Sequence, residues 1–172
     1  MLRKRFELEH EKMFPIMEFL ELIMPKIDPE FVVVPVEDFE LLGRAAETIP
    51  ELHMIRVKQS IYEAACAGRY WARLVMAHEL GHYLCHGEDN VAYAYPVSGE
   101  QLPPDIDAER QADIFAAELL VPVNLIDEPS EFLVSKHFGV PKGVARVQIR
   151  QARRVRKRHQ YRAKKRKSKE NG

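Results

Sequence analysis

A proline-free segment from Trp71 to Cys85 is the strongest constraint on how this chain of 172 residues can fold. Its only internal glycine is Gly81, so the segment favours one long α-helix. His78 and His82 lie within it, and at about 3.6 residues per turn their side chains share one face of the helix, one turn apart. This spacing allows both imidazoles to reach a single metal ion, although two histidines four residues apart can equally be a surface pair.

Glu79 lies about 100° around the predicted helix from His78, near the ion but not forced to bind it. A carboxylate in that position can act as the base that deprotonates a water at the ion. Two imidazole nitrogens and one further carboxylate are donors that favour zinc. The sequence therefore predicts Glu79 as a catalytic residue and one Zn²⁺ per chain as the cofactor.

A catalytic zinc site needs a third protein ligand and an open coordination position. Glu109 is the leading candidate, because it lies four residues before Asp113 on a second predicted helix with an apolar opposite face. Asp113 is a candidate for the hydrogen-bond acceptor that fixes a ligand imidazole, while the alternative for both acids is a solvated face balanced by Arg110. His86 continues the series of histidines, but it lies about 12 Å along the helix axis from His78, so a capping or supporting role is favoured over ligation.

Two further features bear on the predicted site. Gly81 costs about 1 kcal/mol relative to alanine in a helix interior, which predicts a close approach by another element or by the backbone of a substrate. Five tyrosines are candidates for an oxyanion donor, but nothing in the sequence selects one, and core packing is the favoured interpretation for each. These candidates are Tyr62, Tyr70, Tyr83, Tyr93 and Tyr95.

The two motif segments resemble those of the ImmA/IrrE-type metallopeptidases, which are zinc peptidases that use two histidines and a glutamate. The resemblance rests on the sequence AHELGHYLCH at residues 77–86 and on ERQADIFAAELLVP at residues 109–122. It implies zinc-dependent endopeptidase activity, with Glu79 as the catalytic base and with zinc ligands at His78, His82 and Glu109. It also implies a protein substrate, namely a transcriptional repressor of the helix-turn-helix kind or another regulatory protein.

The order of predicted elements indicates an α+β fold with a small, mostly antiparallel sheet. The resemblance implies that this sheet packs on an active-site helix bundle of gluzincin-like type. Helices are expected at residues 6–24, 38–48, 71–85, 105–120, 131–138 and 144–154. Strands are expected at residues 31–36, 52–57 and 60–62. A metallopeptidase domain would span residues 1–140, followed over residues 141–172 by a basic C-terminal helix and a disordered tail.

A formal net charge of zero hides a strong asymmetry along the chain. Residues 1–141 contain 12 Lys or Arg and 25 Asp or Glu, whereas residues 142–172 contain 14 Lys or Arg and one acidic residue. Such a basic block can attract nucleic-acid phosphates without reading sequence, and it can equally be a solvated tail with no partner. An alternative function is therefore a DNA-associated regulatory protein with a structural or vestigial zinc site. The candidate nucleic-acid contacts are Arg153, Arg154, Arg156, Lys157 and Arg158.

The cysteine content and the hydropathy pattern bear on location. Cys66 and Cys85 are too few for a disulfide framework or an all-cysteine zinc site. No signal peptide or transmembrane helix is expected, because acidic residues interrupt the apolar stretches near the N-terminus. The sequence therefore favours the cytoplasm and no membrane partner.

Overall fold

The computed structural model describes residues 2–86 and 104–170, and it has the α+β class that the sequence predicts. In these residues the α-helices are α1 (Leu2–Arg5), α2 (Ile16–Glu18), α3 (Met24–Ile27), α4 (Gln59–Cys66), α5 (Tyr70–His86), α6 (Pro104–Leu120), α7 (Glu131–Phe138) and α8 (Lys142–Glu170). The strands are β1 (Val32–Val36), β2 (Ala46–Ile49) and β3 (Met54–Lys58). A π-helical segment, Phe19–Ile23, joins α2 to α3, and single 3-10 turns lie at Asp38–Glu40, Pro50–Leu52 and Val123–Leu125.

The three strands form a mixed sheet in the order β1-β3-β2. β2 and β3 are an antiparallel pair in which Thr48 lies opposite Ile55. β1 and β3 are parallel, with Val34 opposite Arg56. The expectation of a mostly antiparallel sheet is therefore wrong, because the chain crosses from β1 to the far side of the sheet before it returns through β3.

The predicted helix at residues 38–48 is wrong. Only Asp38–Glu40 is helical, as a 3-10 turn closed by reciprocal hydrogen bonds between Glu37 and Glu40. The chain then passes through Gly43, whose φ of +75° belongs to the left-handed region. A right-handed helix cannot continue through that conformation, so the segment turns and enters β2.

The predicted strand at residues 60–62 is also wrong, because this segment begins α4. The carboxylate of Asp38 accepts hydrogen bonds from the backbone N–H of Ser60 at 3.1 Å and from its hydroxyl at 2.6 Å. Asp38 thus satisfies a free donor in the first turn of α4 from a distant part of the chain. No local sequence pattern reveals such a cap.

The predicted N-terminal helix starts at Ile16, directly after Pro15, and the segment before it contains one short helix, α1. Two buried arginines hold this segment in place. Arg3 donates a hydrogen bond to the carbonyl of Leu119 at 2.6 Å, and Arg73 donates one to the carbonyl of Phe14 at 2.8 Å. The N-terminal segment is therefore attached to both α5 and α6.

Helix α5 is the centre of the core and packs against both β2 and α6. Met76, Ala77 and Leu80 are fully buried, which makes α5 apolar toward more than one neighbour. Burying a side chain of the size of Leu80 contributes about 2 kcal/mol. This burial holds the histidine-bearing helix against the elements that complete the candidate site.

Helix α8 is longer than the predicted helix at residues 144–154 and continues to Glu170. Its first half carries a buried stripe at Ala145, Gln148, Ile149 and Ala152, which packs on the rest of the fold. No described helix is long and apolar enough to cross a membrane.

Candidate metal centre

Three side chains from two packed helices meet in one cluster. The Nε2 atoms of His78 and His82, one turn apart on α5, are 3.0 Å from each other. Glu109 on α6 places Oε2 3.2 Å from His78 Nε2 and Oε1 3.2 Å from His82 Nε2. One donor atom from each residue therefore lies within 4.8 Å of the others. We call these three residues the metal cluster.

The donor set of the metal cluster fits a zinc ion. Ligand atoms about 2.0–2.1 Å from a tetrahedral zinc are roughly 3.3 Å from each other. The separations of 3.0 to 3.2 Å in the cluster are close to that value. Two imidazoles and one carboxylate also leave a fourth coordination position open, as catalytic zinc sites require.

Asp113 lies behind the metal cluster, one helical turn after Glu109. Its Oδ1 is 2.9 Å from Nδ1 of His78, so the carboxylate can accept a hydrogen bond from that ring nitrogen. Such a bond fixes the tautomer that leaves Nε2 available to an ion. The structure thus places Asp113 where the sequence analysis expects a supporting acid.

Glu79 is buried next to the metal cluster, with 7% of its surface exposed. The hydroxyl of Thr48, on β2, lies 2.7 Å from Glu79 Oε2 and 3.1 Å from the backbone carbonyl of the same residue. Burial raises the pKa of the Glu79 carboxyl, and the hydrogen bond from Thr48 opposes that rise. The sequence analysis did not identify Thr48, because no motif connects β2 with α5.

Gly81 lies at a close contact between α5 and α6. A Cβ atom at Gly81 would lie 3.0 Å from Cα of Ala112, 3.1 Å from its carbonyl oxygen and 3.1 Å from the ring of Phe115. The predicted close approach is therefore confirmed, and the approaching element is α6. This contact allows Glu109 to reach the two histidines.

A second group of polar side chains, which we call the Asp28 cluster, involves the residue after His82. Tyr83 donates a short hydrogen bond to the carboxylate of Asp28, and His53 Nδ1 lies 2.7 Å from the same carboxylate. The ring of Tyr83 packs edge-on against Phe31, with 4.8 Å between the centroids. Tyr83 is thus a core residue with a paired hydroxyl, as the favoured interpretation of the tyrosines expects.

Of the remaining tyrosine and histidine candidates, the two whose side chains are described, Tyr62 and Tyr70, are not part of the metal cluster. Tyr62 donates its hydroxyl hydrogen to Glu21, and Tyr70 lies in the first turn of α5. His86 is the last residue of α5, and its side chain lies outside the described residues. Tyr93 and Tyr95 also lie outside the described residues.

The candidate nucleic-acid contacts lie on α8, away from the two motif helices in sequence. Arg153, Arg154, Lys157 and Arg158 are exposed. Arg156 differs from them, because its guanidinium donates a hydrogen bond to the carbonyl of Ile126. It therefore fastens α8 to the chain that precedes α7.

Comparison with known proteins agrees with the geometry. The family model Peptidase_M78, described as an IrrE N-terminal-like domain, matches residues 45–150. That range includes β2, both motif helices and the first nine residues of α8. No curated protein and no solved structure matches the chain. Because the match covers more than half of the chain, this protein belongs to the Peptidase_M78 family of peptidases.

Proposed function

We propose that the protein is a zinc-dependent endopeptidase. The observation that carries this proposal is the meeting of His78, His82 and Glu109 within 4.8 Å, with the buried carboxylate of Glu79 beside them. Three donors leave room for a water or a substrate at the ion, whereas a purely structural zinc site needs a fourth protein ligand. The peptidase family of the chain supports the same reaction.

The bound zinc would supply a Lewis acid that polarises the scissile carbonyl and lowers the pKa of a water. Glu79 takes a proton from the attacking water and later returns it to the leaving amine. For both transfers its carboxylate must keep one orientation. Thr48 provides that restraint, because its hydroxyl donates to the nearer acceptor, Glu79 Oε2.

The sheet offers a way to bind an extended peptide. β3 lies between β1 and β2, so among the described strands β2 has a partner on one edge only. Thr48 on this edge strand contacts the catalytic carboxylate. A peptide that paired with the open edge of β2 would be held by main-chain hydrogen bonds close to Glu79.

The family resemblance supports a proposal for the substrate. We propose a regulatory protein of the cytoplasm, in particular a helix-turn-helix repressor, whose cleavage would change transcription. An extended segment that links two folded parts of such a protein is suited to strand pairing with β2, since its backbone groups are free. Incubation of the zinc-loaded enzyme with a helix-turn-helix repressor that it cleaves would give one new amino terminus.

The test of the proposed activity is the substitution Glu79→Gln. The amide keeps the size of the side chain but cannot accept a proton, so we expect no cleavage at unchanged zinc content. The assay exposes a library of extended peptides to the zinc-loaded protein and identifies new amino termini by mass spectrometry. Chelation should abolish cleavage by the unsubstituted protein, and added zinc should restore it.

Glu118→Gln is the matched control, because Glu118 is a half-buried carboxyl on α6 whose pKa is also raised by burial. This variant should cleave as the unsubstituted protein does. Undiminished cleavage by Glu79→Gln would contradict the mechanism. Absence of cleavage by the zinc-loaded, unsubstituted protein on both the library and the repressor would contradict the function.

A further inference from the structure

Helix α8 changes character about one third of the way along its length. Its buried stripe ends at Ala152, and Val155 is only partly buried. His159, one turn farther on the same side, is exposed. The helix nevertheless continues to Glu170. In the distal part of α8, residues 153–170, the described side chains other than Val155 are therefore exposed.

The distal part of α8 is basic over most of its circumference. Arg153, Arg154, Arg156, Lys157, Arg158 and Arg162 are all exposed, and at about 100° per residue their positions spread about two thirds of the way around the helix. Further lysines and arginines follow, and Glu170 is the first acidic residue after Glu131. Before the distal part, Arg146 binds Glu131 at 2.8 Å.

The distribution of charge on the distal part favours duplex DNA over a membrane surface or duplex RNA. A helix that lies on a membrane needs an apolar face opposite its basic face, and the exposed residues of the distal part provide none beyond Tyr161. A helix in the major groove of B-form DNA has phosphates on both sides, so basic residues around the circumference are useful there. The major groove of A-form RNA is too narrow to admit a helix.

We infer that the distal part of α8 binds duplex DNA through its phosphates, with little dependence on sequence. Its length of about 27 Å, at 1.5 Å per residue, corresponds to roughly eight base pairs along the groove. Amide side chains, which read adenine edges, are few: Gln160 is the one amide among the exposed residues from 153 to 162. Arg156 contributes by fastening the helix to the body at the carbonyl of Ile126. This inference does not depend on peptidase activity.

The test measures binding of the full chain to a fluorescent 20-base-pair duplex of mixed sequence by anisotropy, between 50 and 200 mM salt. We expect the affinity to fall steeply with salt, because each neutralised phosphate releases a counterion. The fourfold variant Arg153→Gln, Arg154→Gln, Lys157→Gln and Arg158→Gln should bind at least about tenfold more weakly and should lower the salt slope by about one per lost contact.

A matched control removes the same number of charges elsewhere. The control changes four exposed basic residues outside α8 to Gln: Lys4, Lys26, Arg69 and Lys136. This control should keep the salt slope of the unsubstituted protein. Equal weakening by both variants would mean that only total charge matters, and would overturn the assignment to α8.

Three probes of the full chain test the choice of ligand. We expect the full chain to bind the DNA duplex more tightly than an RNA duplex of the same sequence, and more tightly than vesicles with 30% phosphatidylserine. Tighter binding to either alternative would overturn the inference, as would no binding to the DNA duplex at 50 mM salt. If the distal part of α8 instead folds onto the acidic part of the chain, residues 1–141, the DNA duplex would not bind at 50 mM salt. Deletion of residues 155–172 would then give faster peptide cleavage.

Discussion

The metal cluster and the Asp28 cluster both pair histidine with carboxylates, and both depend on α5 through the adjacent residues His82 and Tyr83. They differ in how their polar atoms are satisfied. In the metal cluster the two imidazole Nε2 atoms and the carboxylate of Glu109 face one another with room for an ion. In the Asp28 cluster each of the two donors already points at one carboxylate. Histidine beside an acid is therefore insufficient evidence for a metal site, and three donors at ligand spacing are the distinguishing feature.

The two clusters also differ in what surrounds them. The metal cluster lies between α5 and α6 and is accessible from the side of Glu109, whose side chain is 66% exposed. In the Asp28 cluster the ring of Tyr83 is 8% exposed and belongs to the core. We therefore expect changes around the metal cluster to alter chemistry, and changes in the Asp28 cluster to alter stability.

Of the changes that test the difference between the two clusters, we expect the largest effect, a loss of activity, at Thr48. Thr48→Val keeps the shape of the side chain but removes the hydrogen bond to Glu79, and a bond to a charged group contributes about 1.5–3 kcal/mol. We expect kcat for a cleaved library peptide to fall about 10-fold to 100-fold at unchanged zinc content. Thr48→Ser retains the hydroxyl and should recover most of the activity. If the serine variant is as impaired as the valine variant, Thr48 acts through packing and not by orienting Glu79.

A smaller effect on stability is expected at Tyr83. Tyr83→Phe removes the hydrogen bond to Asp28, and the free energy of unfolding should fall by about 1 kcal/mol. Denaturant unfolding measures this loss, and Tyr161→Phe is the control, because the side chain of Tyr161 is 69% exposed. Zinc content and cleavage should stay unchanged in both variants. Loss of zinc from Tyr83→Phe would mean that the two clusters are not separate in function.

The smallest effect is a dependence of stability on pH in the Asp28 cluster. The hydrogen bond to Asp28 raises the pKa of His53, with added attraction from Asp28 and Glu30. Burial acts to raise the pKa of the Asp28 carboxyl, but the hydrogen bonds from His53 and Tyr83 outweigh burial and lower that pKa. The contribution of His53 to the stability of the fold is therefore present below its unfolded pKa of about 6.5 and is lost as the pH rises through the higher folded value. The contribution of Asp28 to stability is present above about pH 4 and is lost as the pH falls.

The variant His53→Asn tests this dependence. His53 has a φ of +51°, a conformation that asparagine tolerates. The difference in melting temperature between the unsubstituted protein and the variant should be largest near pH 5 and should shrink toward pH 9. A difference that stays constant from pH 5 to pH 9 would show that protonation of His53 does not stabilise the fold.

The sequence predicted those parts of the site that depend on helical periodicity alone. His78 and His82 share a face, and Glu109 and Asp113 share another, wherever the two helices form. Thr48 and Asp28 were not predicted, because each reaches α5 from a distant segment and depends on how the elements pack. The same reason explains the wrong expectations for residues 38–48 and 60–62, where a left-handed glycine and a cap from Asp38 decide the structure.

The most direct test of the metal centre is the zinc content of Glu109→Ala, measured by elemental analysis beside the unsubstituted protein. We expect one zinc per chain in the unsubstituted protein and little or none in the variant, because two histidines alone bind zinc weakly. Asp113→Ala should retain zinc with reduced affinity, since it removes the support of His78 but no ligand. One zinc per folded chain retained by Glu109→Ala would contradict the assignment of the third ligand, and with it the proposed site.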